Sequence, residues 1–404
     1  METRRNPTVI VMLKTRVKTA VASLLGWTGA ARVLSSWTGV QALPFVVGYH
    51  MVVEDVRAHI GRANLPNLIS LDMLERQLDW IGQRYHFLTL DELGAQLESG
   101  APFERPSAAV TFDDGYVSVY RHAVPLLKRK GIPAAVFVVT ELAGSKDLQL
   151  YDKVYLLLEK VLPLLDNSEA KVRCLFESKN VQMSDVPMSR PLDAFQTMRW
   201  LFSQQTQDQI QRVVEILETF LCIDEDEYPE LQSVDWEMVR MMDDGGITIG
   251  SHTKTHAFLT EESVERVVDQ TVGSMMTLQD RLKRPIKHFA YPDGRFNATV
   301  VSAVAGAGYR YGYGTCLRRD AENPNLTIPR TLLWERSCAD AGGRFSPSLM
   351  NCHAHRLYDL WARCSHNHGE PTFAKAPRSW SDLREGNLIP AAREKQIAQP
   401  KQHA

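Results

Sequence analysis

Apolar runs and helical repeats alternate along much of the chain. After Pro44 the run "FVVGYH" is rich in β-branched and aromatic residues and predicts a buried strand ending at His50. "SLDMLERQLDWIGQRY" follows, with Ser70 or Asp72 as a cap and Leu71, Leu74, Leu78 and Ile81 at helical spacing. The pattern continues with "HFLTL" (strand), "DELGAQLES" (helix), "SAAVTF" (strand), "YRHAVPLLKRK" (helix) and "PAAVFVV" (strand). From about Ala143 to Val234 the alternation gives way to long helical stretches such as "YDKVYLLLEKVLPLL" and "DQIQRVVEILETFL", which predict a helical insertion. It then resumes with "WEMVRMMDD", "ITIG", the long helix "ESVERVVDQTVGSMMTLQDRL", the strand "KHFAY" and the helix "NATVVSAVAGAG". Such alternation is the signature of an α/β fold with a parallel sheet covered by helices.

Charge changes the picture only at the N-terminus. Across 404 residues, 46 Lys+Arg stand against 48 Asp+Glu, so no global bias toward nucleic acid exists. Residues 1–42 carry Arg4, Arg5, Lys14, Arg16, Lys18 and Arg32 against Glu2 alone. The uncharged run between Lys18 and Arg32 is too short for the roughly 20 apolar residues of a membrane span. The segment reads as a basic amphipathic helix lying on a membrane surface, which places the protein in the cytoplasm or peripherally on the inner membrane face. A helix packed on the main domain and an atypical signal peptide, its apolar part broken by Gly26, Thr28 and Gly29, are the alternatives. The tail after about Phe373 is polar and proline-dotted, the composition of a disordered extension. Six cysteines, at 174, 222, 316, 338, 352 and 364, are too sparse for a disulfide scaffold.

Two strand ends carry unusual chemistry. "VTFDDGY" sets Asp113 beside Asp114 just after an apolar run, where like charges require a cation, a proton or solvent between them. "GSHTKTH" places His252 and His256 four residues apart after "ITI"; in a helical turn both rings would share one face. Both pairs lie C-terminal to predicted parallel strands, where sites gather in such folds. One aspartate and two imidazoles make a three-ligand set with an open position, the arrangement of catalytic zinc. The other aspartate is then suited to take a proton from a water on the metal.

"TFDDGY", "SHTKTH" and "FAYPDGRF", in that order and with "GYH" upstream, resemble the polysaccharide deacetylases, the family-four carbohydrate esterases with a NodB-like domain. The resemblance covers roughly residues 43–142 and 234–335. It implies a distorted (β/α) barrel, often of seven strands, running over 43–335 with the helical insertion at about 143–234 and followed by an extension at 336–404. It also implies one divalent cation, zinc first and cobalt, nickel or manganese as alternatives, and hydrolysis of N-acetyl groups on amino sugars of a polysaccharide or lipid-linked glycan. Asp113 matches the catalytic base, while Asp114, His252 and His256 match the metal ligands. A non-catalytic glycan-binding or scaffold protein of the same fold is the competing expectation.

The third motif departs from the commoner family pattern: Ala290 stands where an arginine usually orients the base, and Asp293 where a tyrosine usually stands. The arginine's task must fall to another residue or be absent. The backbone N–H of Asp293 still suits an oxyanion, with Tyr291 and Pro292 shaping the wall. Tyr116 and Trp334 suit stacking on a sugar ring or a place in the core equally well. The family's late leucine-histidine motif is missing, so His50 is the candidate acid for the departing amine. Branches acting on poly-N-acetylglucosamine use a histidine in a similar upstream "YH" motif. Glu54 or Asp55 is the expected partner keeping it protonated, with His353 and His355 next in line as acids. The ligand-rich run from Cys352 to His368 suggests a second metal site but matches no zinc module.

Overall fold

The computed structural model describes residues 19–24, 43–179, 181, 192–360 and 368. Apart from 19–24, the basic segment 1–42 lies outside the described residues, as does the tail after about 373, and with them the expectations of membrane adsorption and disorder. Residues 19–24 are helical, and Ala22 is buried with Leu349, Cys352 and Leu357. Among the described residues no helix is long and apolar enough to cross a membrane.

The main chain opens with β1 (Phe45–Tyr49), a small parallel pair β2 (Met51–Val53) and β3 (Leu68–Ser70), and α1 (Leu71–Gly82). Ser70 caps α1 by accepting from the Met73 N–H. β4 (His86–Phe87) is shorter than "HFLTL" predicts because Thr89 is taken as the cap of α2 (Leu90–Ser99), in a reciprocal pair with Glu92. β5 (Ser107–Phe112), α3 (Val124–Lys130) and β6 (Ala134–Val138) follow. The helix expected from Tyr120 begins instead with a widened π turn, Val119–Ala123, where Pro125 withholds an N–H from the regular ladder. Four helices come next: α4 (Leu150–Val161), α5 (Glu169–Glu177), α6 (Ala194–Phe202) and α7 (Gln207–Glu218). The alternation then resumes with α8 (Trp236–Asp244), β7 (Thr248–Ser251), α9 (Val264–Leu282), β8 (His288–Ala290), α10 (Ala298–Ala307) and β9 (Tyr311–Gly314). β10 (Ile328–Pro329), β11 (Thr331–Leu332) and α11 (Pro347–Ala354) complete the order.

Every strand pair is parallel, and the sheet runs β10-β9-β8-β7-β6-β5-β1-β11, with β4 beside β5. Its two edges, β10 and β11, are halves of one stretch separated by Arg330 alone. The Arg330 N–H bonds Gly314 on one side, and the Leu333 N–H bonds Gly48 on the other. The sheet therefore curls into a nearly closed barrel of the expected kind, with seven strands around the ring when the seam is counted once.

Alternation along the strands sorts side chains to two faces. Val46, Ala109, Ala135, Phe137, Ala290, Tyr311, Tyr313 and Ile328 form the inner cluster, joined by Leu90 and Leu93 of α2. Phe45, Val47, Tyr49, Val110, Phe112, Val136 and Val138 pack outward in the larger core beneath the helices. Each such burial contributes roughly 1.5–3 kcal/mol, enough to fix the register, since a one-residue slip would invert both faces. Continuing the inner parity to the strand ends points His50, Asp113, His252 and Arg330 to the same C-terminal mouth.

Candidate active site

A sharp turn ends β5 and separates the two aspartates. Asp114 and Gly115 both adopt left-handed backbone, φ 70° and 69°, a conformation open to glycine and tolerated by aspartate. Asp113 thus continues the inner face while Asp114 swings toward β7. Both are almost wholly buried.

Asp113 is gripped by Arg330. Nη1 and Nη2 donate to Oδ1 and Oδ2 at 2.7 and 2.8 Å, and Nη1 donates further to Thr111 Oγ1 at 3.1 Å. The arginine is itself 1% exposed, with its guanidinium 5.3 Å from the Phe137 ring. Burial alone would raise the Asp113 carboxyl, but Arg330, helped by His252 and His50, outweighs it and holds the group well below the usual carboxylate range. The barrel seam thus sets an arginine on Asp113, where the third motif has Ala290. Ala290 lies in the same inner cluster as Phe137. Sequence reading missed Arg330; the period-two signal Ile328-Arg330, which sets both on the inner face, was the clue.

Asp114 faces two imidazoles. Its Oδ1 is 3.5 Å from His252 Nε2 and 3.3 Å from His256 Nε2, and all three ligand atoms lie within 4.8 Å of one another. This is the sole such group among the described residues. The rings come together without the helical turn that the four-residue spacing suggested: Thr253 and His256 have φ of 67° and 60°, and a compact loop brings the ring centroids to 4.9 Å. The Thr253 hydroxyl accepts from the His256 N–H, and Gln270 Oε1 accepts from the N–H groups of Lys254 and Thr255. Gln207, at the start of α7, donates to the Thr255 carbonyl at 2.7 Å and accepts from its hydroxyl, so the insertion braces the same loop.

These residues fit a divalent cation. His252 Nδ1 is 2.8 Å from the Ala290 carbonyl, which requires the proton on that nitrogen and leaves Nε2 with its lone pair toward Asp114. Burial lowers the His252 imidazole to about 4 and pushes His256 well below its ordinary value, so both present neutral nitrogen. Burial, together with Asp113 and Asp152, raises the Asp114 carboxyl. A cation among the three would satisfy all of them at once.

His50 lies just past β1, with Nε2 4.0 Å from Asp114 Oδ2. Burial lowers its pKa, with Arg330 adding to the effect, and the charges of Asp113 and Asp293 offset this only in part. The expected pairing with Glu54 or Asp55 is absent: both side chains are exposed, and Asp55 instead accepts from the Arg57 N–H.

The third motif brings Asp293 to the mouth but not its neighbours. Asp293 and Gly294 are left-handed, φ 52° and 68°, and a Cβ on Gly294 would come within 2.1 Å of Thr315 Oγ1. Asp293 is partly exposed and paired with Arg295 at 2.7 Å and Arg199 at 3.9 Å. Tyr291 is fully buried, its hydroxyl donating to the Leu326 carbonyl, and Pro292 is also buried. Both support the wall from behind. Tyr116 is likewise 1% exposed and donates to Asp152 at 2.6 Å, so it is a core residue and not a platform for sugar. Trp334 is half-buried. The described members of the Cys352–His368 run do not converge. Cys352 is buried with Ala22 and Leu349, His353 Nε2 lies 3.2 Å from the Ser337 carbonyl, and His368 Nε2 lies 3.3 Å from Cys316 Sγ.

The family model for polysaccharide deacetylase matches residues 100–312, just over half of the chain. A poly-β-1,6-N-acetyl-D-glucosamine N-deacetylase of Staphylococcus aureus is 31% identical over 87 residues, 21% of this chain and 30% of that protein. The matching segment thus spans less than a third of that relative's length. Among solved structures, the Streptococcus pyogenes deacetylase PplD in complex with acetate aligns over 74% of this chain and 95% of its own, with 17% identity and a TM-score of 0.47. IcaB from Ammonifex degensii aligns over 78% and 97%, with 19% identity and a TM-score of 0.46.

Proposed function

The chain belongs to the polysaccharide deacetylase family, and on that premise we propose that it hydrolyses N-acetyl groups from amino sugars of a glycan, with Asp113 as base. The observation that carries the reading is a buried carboxylate held ionised by Arg330 beside the Asp114, His252 and His256 set. The reading of an inactive glycan-binding protein drew its support from the altered third motif, and Arg330 removes that support. The relative named above makes a β-1,6-linked N-acetylglucosamine polymer the first substrate to try.

A divalent cation on Asp114, His252 and His256, zinc first among the candidates, would supply a Lewis acid that polarises the acetyl carbonyl and acidifies a water. Asp113 takes a proton from the attacking water as the water's oxygen bonds to the carbonyl carbon. Arg330 keeps both carboxylate oxygens oriented and the charge in place. The backbone N–H of Asp293, on the rim after β8, is assigned to the oxygen that gains charge. His50 gives a proton to the sugar nitrogen as the C–N bond breaks, leaving a free amine and acetate. Purified zinc-loaded protein will release acetate from a β-1,6-linked N-acetylglucosamine pentamer; a chelator will abolish release and zinc will restore it. No release at full metal occupancy from this pentamer or from a chito-oligosaccharide overturns the reading.

The role of His50 has its own test. His50→Ala will keep fold and metal but lose about 10²-fold in turnover of the acetamide, within the usual span for a general acid. On an aryl acetate, whose leaving group needs no proton, the loss will be smaller. Equal losses on both substrates remove His50 as the acid.

A further inference from the structure

The first turn of α4 carries the helical insertion into the mouth of the barrel. Gln149 Nε2 donates to Asp114 Oδ1 at 3.4 Å, and Asp152 accepts the Tyr116 hydroxyl. Tyr151 lies between these two residues in sequence. Its ring packs against Phe202 of α6 at 5.2 Å and Phe258 at 6.4 Å between centroids, and meets His256 edge-on at 6.3 Å. Aromatic packing on these sides fixes where the ring sits, and a phenylalanine would satisfy all of it.

The hydroxyl is what the packing leaves unexplained. It makes no hydrogen bond among the described residues, although the side chain is only partly exposed. The charged groups acting on it are Asp293 and Arg199 from the rim and Asp152 and Asp114 from the site. The oxygen is not among the buried polar atoms left without a partner, so it meets solvent and is available to donate to whatever displaces that solvent from the mouth. A phenol there is a neutral donor, beside the Asp293–Arg199 pair, and the chemistry it serves is an oxygen of a neutral polar molecule.

We propose that Tyr151 is a substrate-positioning residue supplied by the insertion, its hydroxyl donating to an oxygen of the bound amino sugar. This rests on the deacetylase reading. The bond is made equally before and during the reaction, so it acts on affinity and not on the chemical step.

Tyr151→Phe isolates the hydroxyl, because it keeps the ring. With the zinc-loaded protein and the β-1,6-linked N-acetylglucosamine pentamer, KM will rise about tenfold, the size of one neutral hydrogen bond, while kcat, zinc content and melting temperature stay unchanged. A fall in kcat at unchanged KM, no change in either, or a loss of zinc or of melting temperature overturns the proposal. If wild-type protein releases no acetate, the deacetylase reading fails, but the Kd of the pentamer is then measurable by calorimetry without turnover. About tenfold weaker binding by Tyr151→Phe still supports the assignment; equal binding, or none by wild type, overturns it.

Discussion

Arg330→Met will lower turnover about 10²- to 10⁴-fold at neutral pH, the span of a lost general base, and will change the shape of the pH profile. In the wild-type protein the guanidinium overrides the burial of Asp113 and keeps it ionised well into the acid range. Without the cation, desolvation dominates, the carboxyl rises, and the base is protonated where it should act. Activity of the variant will therefore climb with pH across a range in which Asp113 no longer limits the wild type. Stability gives an independent reading, taken with the metal stripped. A depressed carboxyl contributes stability above its unfolded pKa and loses it as pH falls through the folded value. A raised one does the reverse, so the variant will weaken as pH rises above about 4, the unfolded carboxylate value. Its deficit against wild type, on the order of 3–5 kcal/mol for a broken buried pair, will be largest near pH 7–8 and will shrink toward pH 5. Arg330→Lys restores charge without the two-pronged contact and will recover only part of the rate. Wild-type turnover in Arg330→Met, with an unchanged acid limb, would mean that the pair does not tune the base.

The barrel and the Asp114, His252 and His256 cluster were legible because their signals are local. Each of "FVVGYH", "SAAVTFDD" and "ITIGSH" is an apolar run that ends in a polar chemical group, and period-two alternation sends His50, Asp113 and His252 to one mouth. Arg330 was not legible in the same way. It sits between two-residue strands, next to Pro329, in a stretch that resembles a turn, so its period-two spacing from Ile328 carries weight only once closure of the ring makes the stretch strand. Tyr116 and Tyr291 show the opposite limit: they adjoin the motifs in sequence, yet their hydroxyls are spent on Asp152 and Leu326 inside the core.

The insertion was visible as a break in alternation, but its contacts with the site are long-range. It reaches all three motif loops: Asp114 through Gln149, the His256 loop through Gln207, and Asp293 through Arg199. Outer contacts of this kind fix the orientation of the side chains they surround. That explains how a loop with two left-handed residues holds His252 and His256 in register without helical structure.

Asp113→Asn will lose about 10²- to 10⁴-fold in rate while keeping its zinc, because the expected ligands are Asp114, His252 and His256 and not Asp113. The same substitution will also cost stability, which a simple base assignment does not anticipate. An asparagine leaves Arg330 one carbonyl acceptor but no counter-charge, and the guanidinium remains 1% exposed. An uncompensated buried cation is worth roughly 3–5 kcal/mol of destabilisation. The double variant Asp113→Asn/Arg330→Met removes both charges and fills the seam with apolar volume, so it will recover most of that stability and none of the rate. Each single variant alone confounds lost chemistry with lost structure; the cycle separates them, because the coupling appears in unfolding free energy while turnover stays at its floor in both variants that lack the Asp113 carboxylate. If Asp113→Asn instead loses zinc, Asp113 is a ligand and the two aspartates exchange roles.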